Sequence, residues 1–290
     1  MPSSDCLPSA EALGLSEVRR ALAEDRAADD VTTRLLGEAA ECPAVLRFLA
    51  EGRFVVAGAP IAALAFRELD AGARFESLVA EGEWVEEGAR IAAARGAARA
   101  LLAGERVALN LMQRLSGVAT LTRLAVDAVA GTGARITHTR KTTPGLRALE
   151  RYAVTVGGGV ENRASLADAA LWKDNHWALL EARGASLAEC LAAAPPGVVV
   201  VVEVESDVQL ERALAAGARH ILADNQPPSR VAEWVRRAGA GVVFQASGGI
   251  TPQSARSYAE AGAGLVAIGA LTHSAPAAPI RCELALAGCD

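Results

Sequence analysis

The sequence lacks the features that mark several classes of protein. No uninterrupted apolar run approaches the ~20 residues of a membrane span, although 51% of the residues are hydrophobic, so we expect no association with a membrane. The start, MPSSDCLPSAEALG, has no basic segment followed by an apolar stretch, which predicts a cytoplasmic protein without a secretory signal. The five cysteines are scattered without a CxxC pair, which argues against a zinc site and against a disulfide scaffold.

Lysine is the scarcest charged residue of the chain. The net charge of −5 offers no general attraction to nucleic acid, so we expect no nucleic-acid partner and only local binding of anions. Only two of the 29 basic residues are lysines, Lys141 and Lys173. Both lie in short polar motifs, which suggests that a compact ammonium is needed where an extended guanidinium would not fit.

From about residue 134 onward, short β-branched or apolar runs alternate with alanine-rich amphipathic segments. This alternation predicts parallel strands joined by right-handed crossover helices, and six such units suit a barrel or a doubly wound sheet. Polar or small residues end every run, and because the carboxyl ends of parallel strands meet at one face, we favour the barrel. The predicted strands are ARITHTR, AALWKD, VVVVVEVE, HILADN, GVVFQAS and GLVAIGAL, and the predicted helices are GLRALERYAV, SLAECLAAA, SDVQLERALAAG, PSRVAEWVRRAG and TPQSARSYAEAG.

The predicted strand ends would bring charges of both signs to one pocket. Cations follow the first two strands, carboxylates end the next two, and glycines follow the last two; these residues are Arg140, Lys141, Arg163 and Lys173, then Glu203, Glu205 and Asp224, then Gly248, Gly249 and Gly269. Backbone N–H groups of such glycines, near helix N-termini, bind phosphate in barrels. The ligand is therefore expected to be multiply anionic and phosphorylated. The alternative is that these charges form surface salt bridges.

Eight motifs together resemble those of the quinolinate phosphoribosyltransferase family in order and spacing. They are GERVALNLMQRLSGVAT, THTRKTTPGLRALERYAV, GGGVENR, LWKDNH, VEVES, LADN, QASGGIT and AIGALTHSAP. RKTTPGLR and KDNH together are the most specific of these signals. The resemblance extends from ALAEDRAADDVTT to the end, which is essentially the whole chain.

The resemblance implies an N-terminal α/β sandwich domain packed on an open parallel α/β barrel. The sandwich would occupy residues 1–115, completed by the tail at 275–290, and the barrel residues 116–274. It also implies a homodimer and a Mg²⁺-dependent reaction of NAD biosynthesis. In that reaction quinolinate and phosphoribosyl pyrophosphate give nicotinate mononucleotide, pyrophosphate and carbon dioxide.

The resemblance further assigns roles to individual residues. Arg140, Arg163 and Lys173 would grip the pyridine carboxylates, with Asn162 beside them, and Lys141 would contact the donor or the acceptor. Arg106 would enter the site from the neighbouring subunit. Glu203 and Asp224 would hold ribose hydroxyls and magnesium-bound water. Ser247, Gly248, Gly249 and Gly269 would cradle the 5′-phosphate.

The chemistry of phosphoribosyl transfer requires groups of these types. Departure of pyrophosphate builds positive charge on the ribose and negative charge on the leaving group. Carboxylates near the ring, and Mg²⁺ with cations near pyrophosphate, therefore both stabilise the transition state. Loss of a carboxylate beside the ring nitrogen leaves a carbanion-like ylide that the positive nitrogen stabilises.

The sequence also departs from the family pattern on the acceptor side. Glu161 and Asn162 stand where asparagine and histidine are usual, Gln245 replaces a glutamate, and Trp172 replaces a small aliphatic residue. An inward-facing Glu161 would repel an acceptor carboxylate, whereas an outward-facing one would leave quinolinate chemistry unchanged. The alternatives are therefore a related phosphoribosyltransferase for another aromatic or heteroaromatic acid and, from a different class, a non-catalytic phosphosugar-binding protein.

Overall fold

The computed structural model describes residues 9–286, which form an α/β fold with two compact units. Within this range, the sandwich unit comprises residues 9–123, 142–158 and 274–286, and the barrel unit comprises residues 124–141 and 159–273. The outer ends of the predicted sandwich domain, 1–8 and 287–290, lie outside the described residues. None of the helices in the described range has the length and apolar character needed to span a bilayer.

The sandwich unit is built around an antiparallel sheet with strand order β12-β1-β5-β3. Its helices are α1 (Ala10–Glu24), α2 (Val31–Arg34), α3 (Ala59–Leu69), α4 (Ala98–Ala128) and α5 (Arg147–Val156), with 3₁₀ turns at Ala27–Asp29 and Gly37–Glu41. Its strands are β1 (Pro43–Ala50), β2 (Phe54–Val55), β3 (Arg74–Ser77), β4 (Trp84–Val85), β5 (Arg90–Ala97) and β12 (Ile280–Leu286). The last residues of α4 belong to the barrel unit.

The core of the sandwich unit forms where α3 covers the sheet. The rings of Phe48, Phe66 and Phe75 lie with centroids 5.6 to 6.1 Å apart, in edge and stacked arrangements. The chain before β12 runs against α4, where a Cβ on Gly117 would lie only 1.9 Å from the carbonyl oxygen of Pro276. Glycine is therefore required at this point in the long helix.

The barrel unit contains six parallel strands in the order β6-β11-β10-β9-β8-β7. The strands are β6 (Arg135–Thr137), β7 (Ala170–Trp172), β8 (Val200–Val204), β9 (His220–Asp224), β10 (Val243–Ser247) and β11 (Leu265–Ala267). The helices are α6 (Asp174–Arg183), α7 (Leu187–Ala192), α8 (Asp207–Ala215), α9 (Pro228–Ala238), α10 (Pro252–Glu260) and α11 (Ala270–His273).

This strand order is that of a barrel and not of a doubly wound sheet. It runs without reversal from β7 to β11 and then returns to β6, which is the cyclic order of a barrel. Within the described residues no ladder joins β6 to β7, so the barrel is open there. The residue Val160 lies beside β6 at this opening, in a single parallel bridge with Thr137.

The six predicted strands and the five predicted helices are confirmed. Helix α6 was not predicted. Trp177 and Leu180 are its buried residues, and this stripe is too narrow to show a helical period among exposed neighbours.

Candidate active site

A cavity of about 330 Å³ lies at the carboxyl ends of the barrel strands. Alternate residues of four strands line it, because successive side chains of a strand point to opposite faces of the sheet. These pairs are Leu171 and Lys173, Val201 and Glu203, Leu222 and Asp224, and Gln245 and Ser247. The remaining lining residues are Thr139, Arg140, Lys141, Asn162, Arg163, Ala169 and Ala267. One cavity thus brings together most of the site residues predicted from the sequence.

Five predicted residues do not line this cavity, and one of them is Glu205, two positions after the lining residue Glu203. Gly248 and Gly249 follow Ser247 directly, and Gly269 lies two residues after the lining residue Ala267. Arg106 is exposed on α4 in the sandwich unit, where it lines a separate cavity of about 450 Å³ with Arg20. The barrel unit by itself therefore holds the predicted site without Arg106.

Two guanidinium groups create a strongly positive wall in the cavity. Burial, and then the charge of Arg140, lower the pKa of Arg163 from its ordinary value. The Nε atom of Arg140 is buried and has no hydrogen-bond partner among the described residues. Two repelling cations, one of them with an unused buried donor, are suited to a ligand that carries more than one negative charge.

Carboxylates also line the cavity, at Glu203 and Asp224, and the exposed Glu205 lies next to them outside its lining. Glu203, Glu205 and Asp224 each offer a ligand atom, and these atoms lie within 4.8 Å of one another. Glu203 is 6% exposed, and its carboxylate lies 3.3 Å from Nζ of Lys173. Burial raises the pKa of Glu203, and Asp224 raises it further against the opposing effect of Lys173. Clustered carboxylate oxygens of this kind fit a hard divalent cation such as Mg²⁺, or hydroxyl donors.

A glycine turn follows the end of β10. Gly248 has φ +95°, and a Cβ there would lie 2.2 Å from Oδ1 of Asn225, so the backbone can pass only if the residue is glycine. The next residue, Gly249, has φ +61°, and helix α10 starts at Pro252 behind an N-cap at Thr251. The exposed backbone of such a turn before a helix suits a phosphate group.

Within the sandwich unit, a buried ion pair holds the loop that follows Lys141. Glu150 is fully buried; one carboxylate oxygen accepts from Nη2 of Arg114 at 2.6 Å, and the other accepts from the Thr143 N–H at 3.0 Å. Arg114 also donates to the Ala275 carbonyl at 2.9 Å. The sequence analysis missed this pair. Its only sequence signal is a charged residue on the buried face of an amphipathic helix.

Gln245, Glu161 and Trp172, which depart from the family pattern, differ in whether they line the larger cavity. Gln245 lines the cavity at 9% exposure. Glu161 does not line it; this side chain lines a smaller cavity of about 90 Å³, and its Oε2 lies 3.5 Å from Nε2 of His138. Trp172 is also absent from the cavity lining and packs against His176 and Trp177.

Comparison with known proteins gives a match over most of the chain. Residues 30–116 match the family model of the quinolinate phosphoribosyl transferase N-terminal domain, and residues 118–282 match that of the C-terminal domain. A probable nicotinate-nucleotide pyrophosphorylase [carboxylating] of Bacillus subtilis is 40% identical over 266 residues, covering 91% of this chain and 90% of the relative. The Mycobacterium leprae nicotinate-nucleotide pyrophosphorylase [carboxylating] is 41% identical over 263 residues, covering 89% of this chain and 92% of the relative.

Solved structures show the same fold. The nicotinate-nucleotide pyrophosphorylase of Francisella tularensis superimposes with a TM-score of 0.86 at 29% identity, covering 97% of this chain and 98% of that one. NadC of Streptococcus pyogenes gives a TM-score of 0.85 at 32% identity, covering 93% and 97%.

Proposed function

The chain belongs to the quinolinate phosphoribosyltransferase family, and from this premise we propose that it converts quinolinate and phosphoribosyl pyrophosphate to nicotinate mononucleotide, pyrophosphate and carbon dioxide. The ring nitrogen forms a bond to C1′ of the ribose while the bond from C1′ to the pyrophosphate oxygen breaks. The bond to the carboxylate beside the nitrogen then breaks, carbon dioxide leaves, and the electron pair left on the ring carbon takes up a proton. Nicotinate mononucleotide is an intermediate of NAD biosynthesis.

One observation carries this proposal: the barrel cavity is lined by two arginines and also by two carboxylates. Arg140 and Arg163 repel each other unless an anion lies between them, and quinolinate supplies two carboxylates. Lys173, whose Nζ is 3.3 Å from Glu203, also lines the cavity. A dianionic acceptor can therefore bind at the arginines while the ribose faces the carboxylates.

The acceptor side acts by binding and orientation. Arg140 and Arg163 hold the pyridine carboxylates through charge-assisted hydrogen bonds, and Lys173 neutralises charge near the bonds that change. Lys141 is exposed four residues after the end of β6, and in this proposal it contacts the donor or the acceptor. Neutralising the carboxylates also leaves the ring nitrogen free to attack C1′.

The donor side acts by electrostatic stabilisation. Glu203 and Asp224 accept hydrogen bonds from ribose hydroxyls and stabilise the positive charge that develops on the ribose. The same two residues would hold Mg²⁺ through water, and the ion would neutralise charge on the departing pyrophosphate. Ser247, Gly248, Gly249 and Gly269 bind the 5′-phosphate through the hydroxyl and backbone N–H groups.

The proposal includes a homodimer in which each subunit lends Arg106 to the site of its partner, and a cytoplasmic location. Its support is that Arg106 lies in the family motif GERVALN but not among the residues that line the barrel cavity. An exposed arginine on α4 is free to reach a second subunit.

A screen of pyridine and benzene carboxylates for donor-dependent pyrophosphate release tests the proposed reaction. We expect quinolinate to give equal amounts of pyrophosphate and carbon dioxide in the presence of Mg²⁺, and little release with the other acids. Release with a different acid but not with quinolinate would indicate a related phosphoribosyltransferase. No release with any acid would leave a non-catalytic phosphosugar-binding protein.

A further inference from the structure

The two arginines of the cavity lie on separate segments that run side by side. Arg140 follows β6, and Arg163 follows the stretch beside β6 at the open edge of the barrel. Two hydrogen bonds fix this stretch before either arginine: the Val160 N–H donates to the Ile136 carbonyl at 2.8 Å, and Oγ1 of Thr137 donates to the Val160 carbonyl at 2.8 Å. Beyond these bonds, side chains must keep the segments together.

Asn162 joins the two segments just before the arginines. Its Nδ2 donates to the His138 carbonyl at 2.9 Å, and its Oδ1 accepts from the Arg163 N–H at 2.8 Å. In the reverse orientation Oδ1 would face the His138 carbonyl, which is also an acceptor, and Nδ2 would face the Arg163 N–H, which is also a donor. The network therefore fixes the orientation of the amide. Both ends of the amide are thus engaged with backbone groups.

His138 completes the junction. It is 1% exposed, and its Nε2 accepts from the Asn162 N–H at 3.2 Å, so in the neutral ring Nδ1 carries the proton and donates to the Thr139 carbonyl at 3.2 Å. Thr139 is the residue directly before Arg140. The imidazole therefore connects the backbone of Asn162 to the backbone that carries Arg140.

From these contacts we infer that Asn162 is a positioning residue. It holds together Arg140 and Arg163, which we call the acceptor clamp, and it does not bind the acceptor through its own amide. The two guanidiniums repel each other, so without the hydrogen bonds of Asn162 the two segments can move apart when no ligand is bound. The junction opposes this separation. The inference rests on the proposed function, since it takes the acceptor carboxylates to bind at these arginines.

The side chain of Glu161 lies next to this junction, with Oε2 3.5 Å from Nε2 of His138. It lines the smaller cavity, which shares Asn162 and Arg163 with the larger one, and it is not among the residues that line the larger cavity, where both arginines lie. Asn162 does line the larger cavity, but its amide is engaged with the backbone of His138 and Arg163. The altered pair then changes how the clamp is held and leaves the acceptor class unchanged.

The variant Asn162→Ala tests this inference when it is made in the wild type and in Arg163→Lys. We expect the KM for quinolinate to rise about 5- to 10-fold in the wild-type background, as for the loss of one or two neutral hydrogen bonds, with the KM for the donor within about twofold. If Asn162 acts by holding both arginines, the same substitution in Arg163→Lys can misplace only Arg140, and its effect should fall to about threefold or less. Effects that multiply in the double variant would mean that Asn162 contacts the acceptor itself, which overturns the inference.

Thr137→Val is the matched control, because it removes another side-chain bond between the same two segments, upstream of the arginines. We expect it to lower Tm and to leave the KM for quinolinate unchanged. If Thr137→Val raises the KM for quinolinate as much as Asn162→Ala does, any loosening of the two segments is enough to weaken binding. If Asn162→Ala leaves the KM unchanged, Asn162 has a purely structural role. Either result overturns the inference. A wild-type enzyme that releases no pyrophosphate with quinolinate overturns the proposed function instead, before any variant is compared.

Discussion

Replacing Arg114 with methionine leaves the carboxylate of Glu150 buried without its cation. Glu150 is fully buried, and apart from the guanidinium, which lies 2.6 and 3.0 Å away, the Thr143 N–H donates to it at 3.0 Å. Breaking a buried pair by removing one partner costs about 3–5 kcal/mol, because an uncompensated charge stays out of water. At about 2–4 °C for each kcal/mol, we expect Tm to fall by roughly 6–20 °C.

Thermal and urea denaturation of three variants tests this reasoning. Arg256→Met breaks an exposed helical pair of similar length, 2.7 Å to Glu260, and should cost less than about 1 kcal/mol. Arg114→Met combined with Glu150→Leu removes both charges and should recover most of the loss. The reasoning is refuted if Arg114→Met costs no more than Arg256→Met, or if the double variant is less stable than Arg114→Met alone.

Three further predictions concern the catalytic groups. Lys173→Ala should keep Tm within a few degrees of wild type while kcat/KM falls ~100-fold or more, since the lysine is exposed at a strand end and makes charge-assisted contacts. Near-native kinetics in a folded variant would show that Lys173 is not part of the site. Mixtures of Arg106→Ala and Lys141→Ala, each inactive alone, should regain part of the activity when subunits exchange, and no recovery under exchange would reject a shared site. Because the folded protein raises the pKa of Glu203, ionising this carboxyl costs stability as pH rises through the window between its unfolded and folded pKa values. Glu203→Gln should therefore raise Tm above that window while abolishing most activity; a lower Tm there would contradict the direction of the shift.

Much of the fold could be predicted because its signals are local. Each barrel strand shows itself as an apolar run ended by polar or small residues, and the period of two places Glu203 and Asp224 on the inner face without reference to any other element. The parallel arrangement then gathers the strand ends, so most predicted site residues share one cavity. Helix α6 escaped prediction because two buried residues give no visible period.

The sequence by itself therefore determined the family, the strands and the residue types that the chemistry requires, since each depends on neighbours along the chain. Only the tertiary structure decided which partners those residues meet. Arg114 lies 36 positions before Glu150, and Asn162 lies 24 positions after His138, so their contacts depend on how distant segments pack. Glu161 lies beside His138, 23 positions earlier, and lines the smaller cavity, so its placement also depends on how distant segments pack.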